Sequence, residues 1–353
     1  MGTTNLRSVI AEGDSSGLKS LDRSGSYVLD SAGAESSSGA FPPRCHGACV
    51  SRTGEEPDAY KVNQDSCFAY DKFLGDDQAI FGVLDGHGPF GHFVSSMVRD
   101  RLPDILADTL DGWKEQQMKQ QQQDSGRKKN QNSISSLEGI STPVQQAFLA
   151  CDQVLEYSAL DTEFSGTTAV VTLILGGFAV TAWVGDSRGM LIQRQLDGSH
   201  KAIKLTEDHT PANHEESQRI LGTGGRIERL IGPDGSRIGP ARVWLSDAWI
   251  PGLAMSRALG DTVAKHVGVS ATPDVNIRKL GAEDEFLVLA SDGVWEFISE
   301  QEAANLVVQY RGEDVRVAAL ALVEYASKKW RETETVIDDI TAVVVRLGGA
   351  ASE

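Results

Sequence analysis

Thr168-Ala169-Val170-Val171-Thr172-Leu173-Ile174-Leu175-Gly176-Gly177-Phe178-Ala179-Val180-Thr181-Ala182-Trp183-Val184 is the stretch that decides the fold class. Two apolar runs of strand length, rich in β-branched residues, flank a Gly-Gly pair. Glycine adopts positive φ without strain, which a two-residue hairpin turn requires. The segment therefore predicts an antiparallel hairpin, and a further strand-like run follows at 190–194. Helical spacing marks 89–110 (Phe93, Val94, Met97, Val98, Leu102), with Pro103 expected to kink or break it. A second helix is expected over 143–160 and a third over 212–223, closed by Gly224-Gly225 at a C-cap position. Strands at 286–290 and 340–346 surround two late helices, 299–310 and 314–330. Hairpin-linked strands with grouped helices give an α+β fold, antiparallel sheets covered by helices.

Composition narrows the rest. The chain has 353 residues, 40% of them hydrophobic, enough for one large domain or two small ones. Its net charge of −17 argues against general nucleic-acid binding, which needs a basic face. Cys45, Cys49, Cys67 and Cys151 are too few for a disulfide framework in a chain this long. Cys45 and Cys49 flank His46, yet no second ligand pair follows at zinc-finger spacing. Free thiols in a reducing cytoplasm or nucleus are the expectation. No run approaches the 18 apolar residues of a membrane span, and the N-terminus lacks the apolar core of a signal peptide. Met1-Gly2 opens an N-myristoylation motif, but Leu6 stands where that motif has Ser or Thr. Residues 1–41, with Ser36-Ser37-Ser38-Gly39, read as a flexible extension from which Tyr27-Val28-Leu29 can dock. Residues 114–136, with Gln120 to Gln123 and Lys128-Lys129, read as a surface insertion. A helix continued through Glu115 and Met118 is the alternative.

The chemistry gathers at strand ends. Asp85-Gly86-His87-Gly88 closes the apolar run Ala79 to Leu84. Asp supplies hard oxygen ligands, His exchanges a proton near neutral pH, and Gly admits close backbone approach. Gly185-Asp186-Ser187-Arg188, Gly260-Asp261, Ser291-Asp292-Gly293 and Asp338-Asp339 repeat the pattern, several of them after strand-like runs. Carboxylates from distant parts of the chain then converge at one sheet end, which suggests a metal site of oxygen ligands.

In chain order come Asn63-Gln64-Asp65, Asp85-Gly86-His87-Gly88, Ser165-Gly166-Thr167-Thr168-Ala169 and Val184-Gly185-Asp186-Ser187-Arg188. Leu205-Thr206-Glu207-Asp208-His209, Leu253 to Asp261, Ala290-Ser291-Asp292-Gly293-Val294-Trp295 and Asp338-Asp339-Ile340-Thr341 follow. This series resembles the metal-dependent Ser/Thr protein phosphatases of type 2C, over residues 43 to 347. The resemblance implies a four-layer α-β-β-α sandwich, two antiparallel sheets with a helix pair on each outer face, as a catalytic domain at 42–348. It implies two Mn²⁺ or Mg²⁺ ions, with Asp85 between them, Asp292 and Asp338 on one, and the Gly86 carbonyl and Asp65 on the other. Gln64 stands where many members have Glu. Asp186 would serve a third ion with Asp292, and Glu296 sits where many members have Asp. His87 would be the general acid. The family's phosphate-binding Arg has no match at the expected spacing, where Tyr60 falls. Lys61, or Arg52 folding back, takes that role. Residues 224–252 correspond to the family's loop-rich, substrate-selecting flap, with Trp244 and Trp249 either core or substrate contacts. Asp261 reads as structural, Arg188 and Arg257 as core partners of acids, and Asp208 and His209 as organisers of a turn. The implied partners are phosphorylated protein substrates, and the implied state is a monomer. A catalytically dead regulator is the competing reading, disfavoured because Asp85, Asp292 and Asp338 are all present.

Overall fold

The computed structural model describes residues 18–21, 26–30, 45–123, 137 and 139–348. The lipidation motif at Met1-Gly2, the run Ser36 to Gly39 and Lys128-Lys129 lie outside the described residues. The chain opens with strands β1 (Leu18–Leu21), β2 (Ser26–Asp30), β3 (His46–Arg52), β4 (Asp65–Tyr70) and β5 (Ala79–His87). Helices α1 (Gly91–Gln123) and α2 (Ser141–Glu156) follow. Then come β6 (Gly166–Thr167), β7 (Ala169–Leu175), β8 (Phe178–Val184), β9 (Arg188–Arg194) and β10 (His200–Lys204). Helix α3 (His214–Gly222) leads into β11 (Arg226–Ile231), β12 (Arg237–Trp244), β13 (Pro251–Leu253) and β14 (Leu259–Gly260). The chain ends with α4 (Thr262–Lys265), β15 (Asp274–Lys279), β16 (Asp284–Ala290), α5 (Asp292–Trp295), α6 (Glu300–Gln309), α7 (Val315–Thr333) and β17 (Ile340–Arg346).

Two large antiparallel sheets form the body. One runs β1-β2-β3-β17-β16-β9-β10, the other β14-β6-β5-β7-β8-β15 with β4 also on β5. The 168–184 hairpin is present, and Gly176 and Gly177 take φ of +55° and +81° at its turn. Strand alternation builds three apolar layers. Ala342 and Val344 face α6 and α7, while Val343 and Val345 face the other sheet. Ile80 and Leu84 face α1 and α2, while Phe81 and Val83 face inward. The result is the α-β-β-α sandwich, with α1 and α2 on one outer face and α6 and α7 on the other.

Several expectations change. Pro103 lies inside α1 and does not end it. Val94, Val98, Leu102, Leu106 and Leu110 recur every fourth residue and are at most 1% exposed. Each buried side chain contributes about 1.5–3 kcal/mol, so together they outweigh the ~3 kcal/mol cost of an internal proline. The same helix runs to Gln123, through Glu115 and Met118, so the helical alternative holds for the first part of the 114–136 segment. The remainder, 124–136, lies outside the described residues. Tyr27-Val28-Leu29 is part of β2, paired with β3 opposite Val50, so this piece of the 1–41 segment is a strand. Gly224 and Gly225 end α3 as expected. Gly224 has φ +89°, and their N–H groups donate to Leu221 and Ile220 carbonyls. Cys49 and Cys67 sit in the inter-sheet layer and Cys151 on the buried face of α2. Among the described residues, no helix is long and apolar enough to cross a membrane.

Leu106→Ala should cost about 2–5 kcal/mol, because it opens a cavity between α1 and the sheet. Urea unfolding followed by circular dichroism measures that loss.

Candidate active site

Alternation along the strands places the site at one end of the inter-sheet layer. Asp85 continues the inward row of Phe81 and Val83 on β5, and Asp65 begins the inward row of Cys67 and Ala69 on β4. The two are register partners. On the facing sheet Ser51, Ser291 and Thr341 lie two residues beyond inward-facing Cys49, Leu289 and before Val343. The layer is thus apolar along its length and polar at this end.

The carboxylates there repel one another. Burial holds the Asp85 carboxyl well above the usual range, and Asp65, Asp292, Asp338 and Asp186 push it further. Asp292 is raised by burial and then by Asp186, Asp338 and Asp65, and lies within hydrogen-bonding reach of Asp85. Burial, with repulsion from Asp339, pushes Asp65 up to about 7. The Ser291 hydroxyl donates to Asp65 Oδ2 at 2.8 Å, while Asp65 Oδ1 is buried with no hydrogen-bond partner. Asp186 Oδ1 is in the same position, its carboxyl raised by burial and by Asp208. Buried carboxylates this mutually repulsive, two with unpartnered oxygens, suit hard divalent cations. Among the described residues no three such side chains already close on one point.

Backbone approach at Gly86 is tight, since a Cβ there would lie 2.4 Å from the Gly91 carbonyl oxygen. Gln64 donates through Nε2 to the Gly88 carbonyl at 2.8 Å. A Glu could not make that bond, so the amide braces the loop after His87. Asp339, next to the expected ligand Asp338, is buried and accepts N–H bonds from Gly54 at 2.7 Å and Gln64 at 2.9 Å. Asp338 is exposed and accepts from Lys61 Nζ at 2.6 Å. Burial works against the Lys61 charge, but Asp338 and Asp339 overcome it and hold its pKa up. Arg52 ends β3 opposite Ile340, so both candidate cations flank the Asp338-Asp339 turn. Tyr60 is 92% exposed. Glu296 is exposed at the end of α5. His87 Nε2 lies 2.6 Å from Asp261 Oδ2. Burial pushes the imidazole pKa down, and the Asp261 carboxylate reverses this to a net rise.

The family model "Protein phosphatase 2C" matches residues 57–334. The chain belongs to the protein phosphatase 2C family. It is 37% identical over 291 residues to probable protein phosphatase 2C 72 of Arabidopsis thaliana, covering 81% of this chain and 82% of that protein. It is 36% identical over 309 residues to probable protein phosphatase 2C 38 of Oryza sativa subsp. japonica, covering 81% of this chain and 66% of that one. The fold matches a crystal structure of serine-threonine phosphatase 2C from Toxoplasma gondii with a TM-score of 0.73, at 23% identity over 91% of this chain and 99% of that one. Phosphatases 2C are metal-dependent Ser/Thr protein phosphatases, hydrolases of phosphoproteins.

In this phosphatase 2C chain the flap is a sheet, where the sequence reading expected loops. β11, β12 and β13 pair antiparallel. Trp244 is buried and meets exposed Trp249 edge-on at 5.1 Å, with Arg226 over the Trp249 ring at 4.6 Å. Before the flap, α3 carries Glu216, which sequence patterning missed because a Glu on a short helix usually faces water. Glu216 Oε1 accepts from Arg257 Nη2 at 2.7 Å, and Arg257 Nη1 donates to Asp274 at 2.7 Å. Asp274 faces His209 Nε2 at 3.2 Å, and His209 Nδ1 accepts the Gly185 N–H at 3.2 Å. This network ties the root of the flap to the residue before Asp186. Arg188 forks onto both oxygens of Asp208 at 2.8 Å and reaches Glu300 at 3.3 Å. The expected arginine–acid pairs are therefore present.

Burial alone would raise the Glu216 pKa, but hydrogen bonds from Arg219, Arg257 and Ser256 bring it far below the usual range. A depressed pKa stabilises the fold fully above the unfolded value of 4.5, and that contribution is lost as the pH falls from there. Glu216→Gln should cost about 3–5 kcal/mol at neutral pH, with the gap to wild type narrowing below that value. Urea midpoints measured across the acid range test this.

Proposed function

We propose that this chain hydrolyses phospho-Ser and phospho-Thr in proteins. Asp65, Asp85, the Gly86 carbonyl, Asp292 and Asp338 would hold two divalent cations, with Asp186 toward a third, and His87 is the general acid. The observation that carries this reading is the family match, with Asp65 and Asp85 side by side on paired strands and a partly buried imidazole two residues on from Asp85. When bound, Mn²⁺ or Mg²⁺ offsets phosphoryl charge and lowers the pKa of a water. Asp65, Asp85, Asp292 and Asp338 would hold those ions. Lys61, or Arg52, meets the substrate phosphate as a cation, Lys61 as a point charge with no bidentate fork. His87 donates a proton to the departing Ser or Thr oxygen, which is otherwise a poor leaving group. The flap beside the site selects among phosphoproteins. The reading includes a monomer acting in the cytoplasm or nucleus.

Phosphate release from a phospho-Thr peptide should require Mn²⁺ or Mg²⁺, stop with EDTA, and fall to background in Asp85→Ala and Asp292→Ala. Retained turnover in both variants sinks the proposal. A second readout is thermal. Asp85→Asn, which removes one charge from the cluster, should melt higher than wild type in EDTA and gain nothing from added Mn²⁺. Lys61→Met should raise KM for the phosphopeptide about tenfold, roughly 1.4 kcal/mol of binding, if Lys61 is the phosphate cation. If Arg52→Met does so instead, the assignment moves to Arg52.

A further inference from the structure

Two motifs that the metal cluster does not use meet at the end of β5. Gly166 of Ser165-Gly166-Thr167-Thr168 pairs with His87 on one side and Gly260 on the other. Asp261 follows directly, with φ of +50° and its N–H donating to the Ser165 carbonyl at 3.0 Å. A left-handed backbone at a non-Gly residue costs energy and persists where its surroundings over-determine it. Here the turn sends the Asp261 carboxylate back across the middle strand. A Cβ at Gly166 would lie 2.2 Å from Asp261 Oδ2, so only glycine leaves the path open. Asp261 is 2% exposed, and its Oδ2 ends 2.6 Å from His87 Nε2. His87 Nδ1 is shielded from solvent and faces the Asp85 backbone.

We infer that Asp261 is a positioning residue for His87, reached over Gly166, that holds the Nε2–H and fixes the plane and tautomer of the ring. The inference rests on reading His87 as the general acid. As the P–O bond breaks, its electron pair goes to the Ser or Thr oxygen, a proton of the imidazolium joins that oxygen, and the ring is left neutral, still held by Asp261. A buried carboxylate orienting an imidazole through one nitrogen while the other exchanges a proton is a known solution to the tautomer problem. In this chain the two residues are 174 apart in sequence and meet only through the three-strand edge.

The test compares leaving groups. A phospho-Thr peptide needs a proton on its departing oxygen, whereas p-nitrophenyl phosphate releases a stable phenolate. We measure kcat on both substrates for wild type, His87→Ala, Asp261→Asn and the double variant, all with Mn²⁺. Asp261→Asn is expected to lose at least about tenfold more on the peptide than on p-nitrophenyl phosphate, part of the ~10²–10⁴-fold scale of general-acid catalysis. Adding it to His87→Ala should not change that variant's substrate ratio. Partial unfolding lowers both substrates equally, so the ratio remains readable if the variant is less stable. In ¹⁵N-histidine spectra a protected imidazole N–H, assigned by its absence in His87→Ala, should be lost in Asp261→Asn. Equal losses on both substrates in Asp261→Asn, with a differential loss in His87→Ala, overturn the positioning role alone. Equal losses in His87→Ala overturn the acid role of His87 and this inference with it.

Discussion

Like charges held together out of water are the constraint on which this structure turns. Asp65, Asp85, Asp186 and Asp292 come from strands and strand ends across both sheets, with Asp338 exposed at their rim, and burial raises all four before any neighbour is counted. No folded chain gathers such a set for stability. It is tolerated because the inter-sheet layer behind it, with Phe81, Val83, Leu289 and Val343, is dry and tightly packed. The same layer fixes strand register, and register decides which side chains face inward at the polar end.

Around that centre the fold places neutralising contacts. Lys61 sits on Asp338, Ser291 on Asp65, and the Gly54 and Gln64 amides on Asp339. These bonds bring β3, β4 and the start of β17 to a common point, so the site also locks the two sheets at one end. Farther out, the Glu216–Arg257–Asp274–His209 series does similar service for the flap. His209 stacks on Trp183 at 5.7 Å and accepts the Gly185 amide, which holds the turn that presents Asp186. The flap is thereby rooted in the same body that carries the carboxylates, while Ile231 and Trp249 remain open to solvent.

Much of the site is legible in single motifs because its residues lie at strand ends. A strand that stops in Asp-Gly delivers a carboxylate and a bare backbone together, and Asp85-Gly86 and Ser291-Asp292-Gly293 advertise this directly. Pairings between motifs are not legible in that way. Asp261 reads as structural because its neighbours, Gly260 and Thr262, say nothing of His87. Asp339 looks like a spare neighbour of Asp338 until Gly54 and Gln64 are seen donating to it. Gln64 looks like a weakened ligand until its amide is found on the Gly88 carbonyl.

The sequence by itself determined the antiparallel hairpin at 168–184, the existence of the five longer helices, and the motif series that names the family. Each depends on periodicity, turn chemistry or local order, which neighbouring residues carry among themselves. Only the tertiary structure decided that α1 runs through Pro103, because the burial that outweighs the proline comes from the sheet and from α2. Only it decided that the flap is a sheet, since the β11–β12–β13 pairing is set across the chain. The partnership of Asp261 with His87 belongs there too, because it requires three strands side by side and a glycine between them.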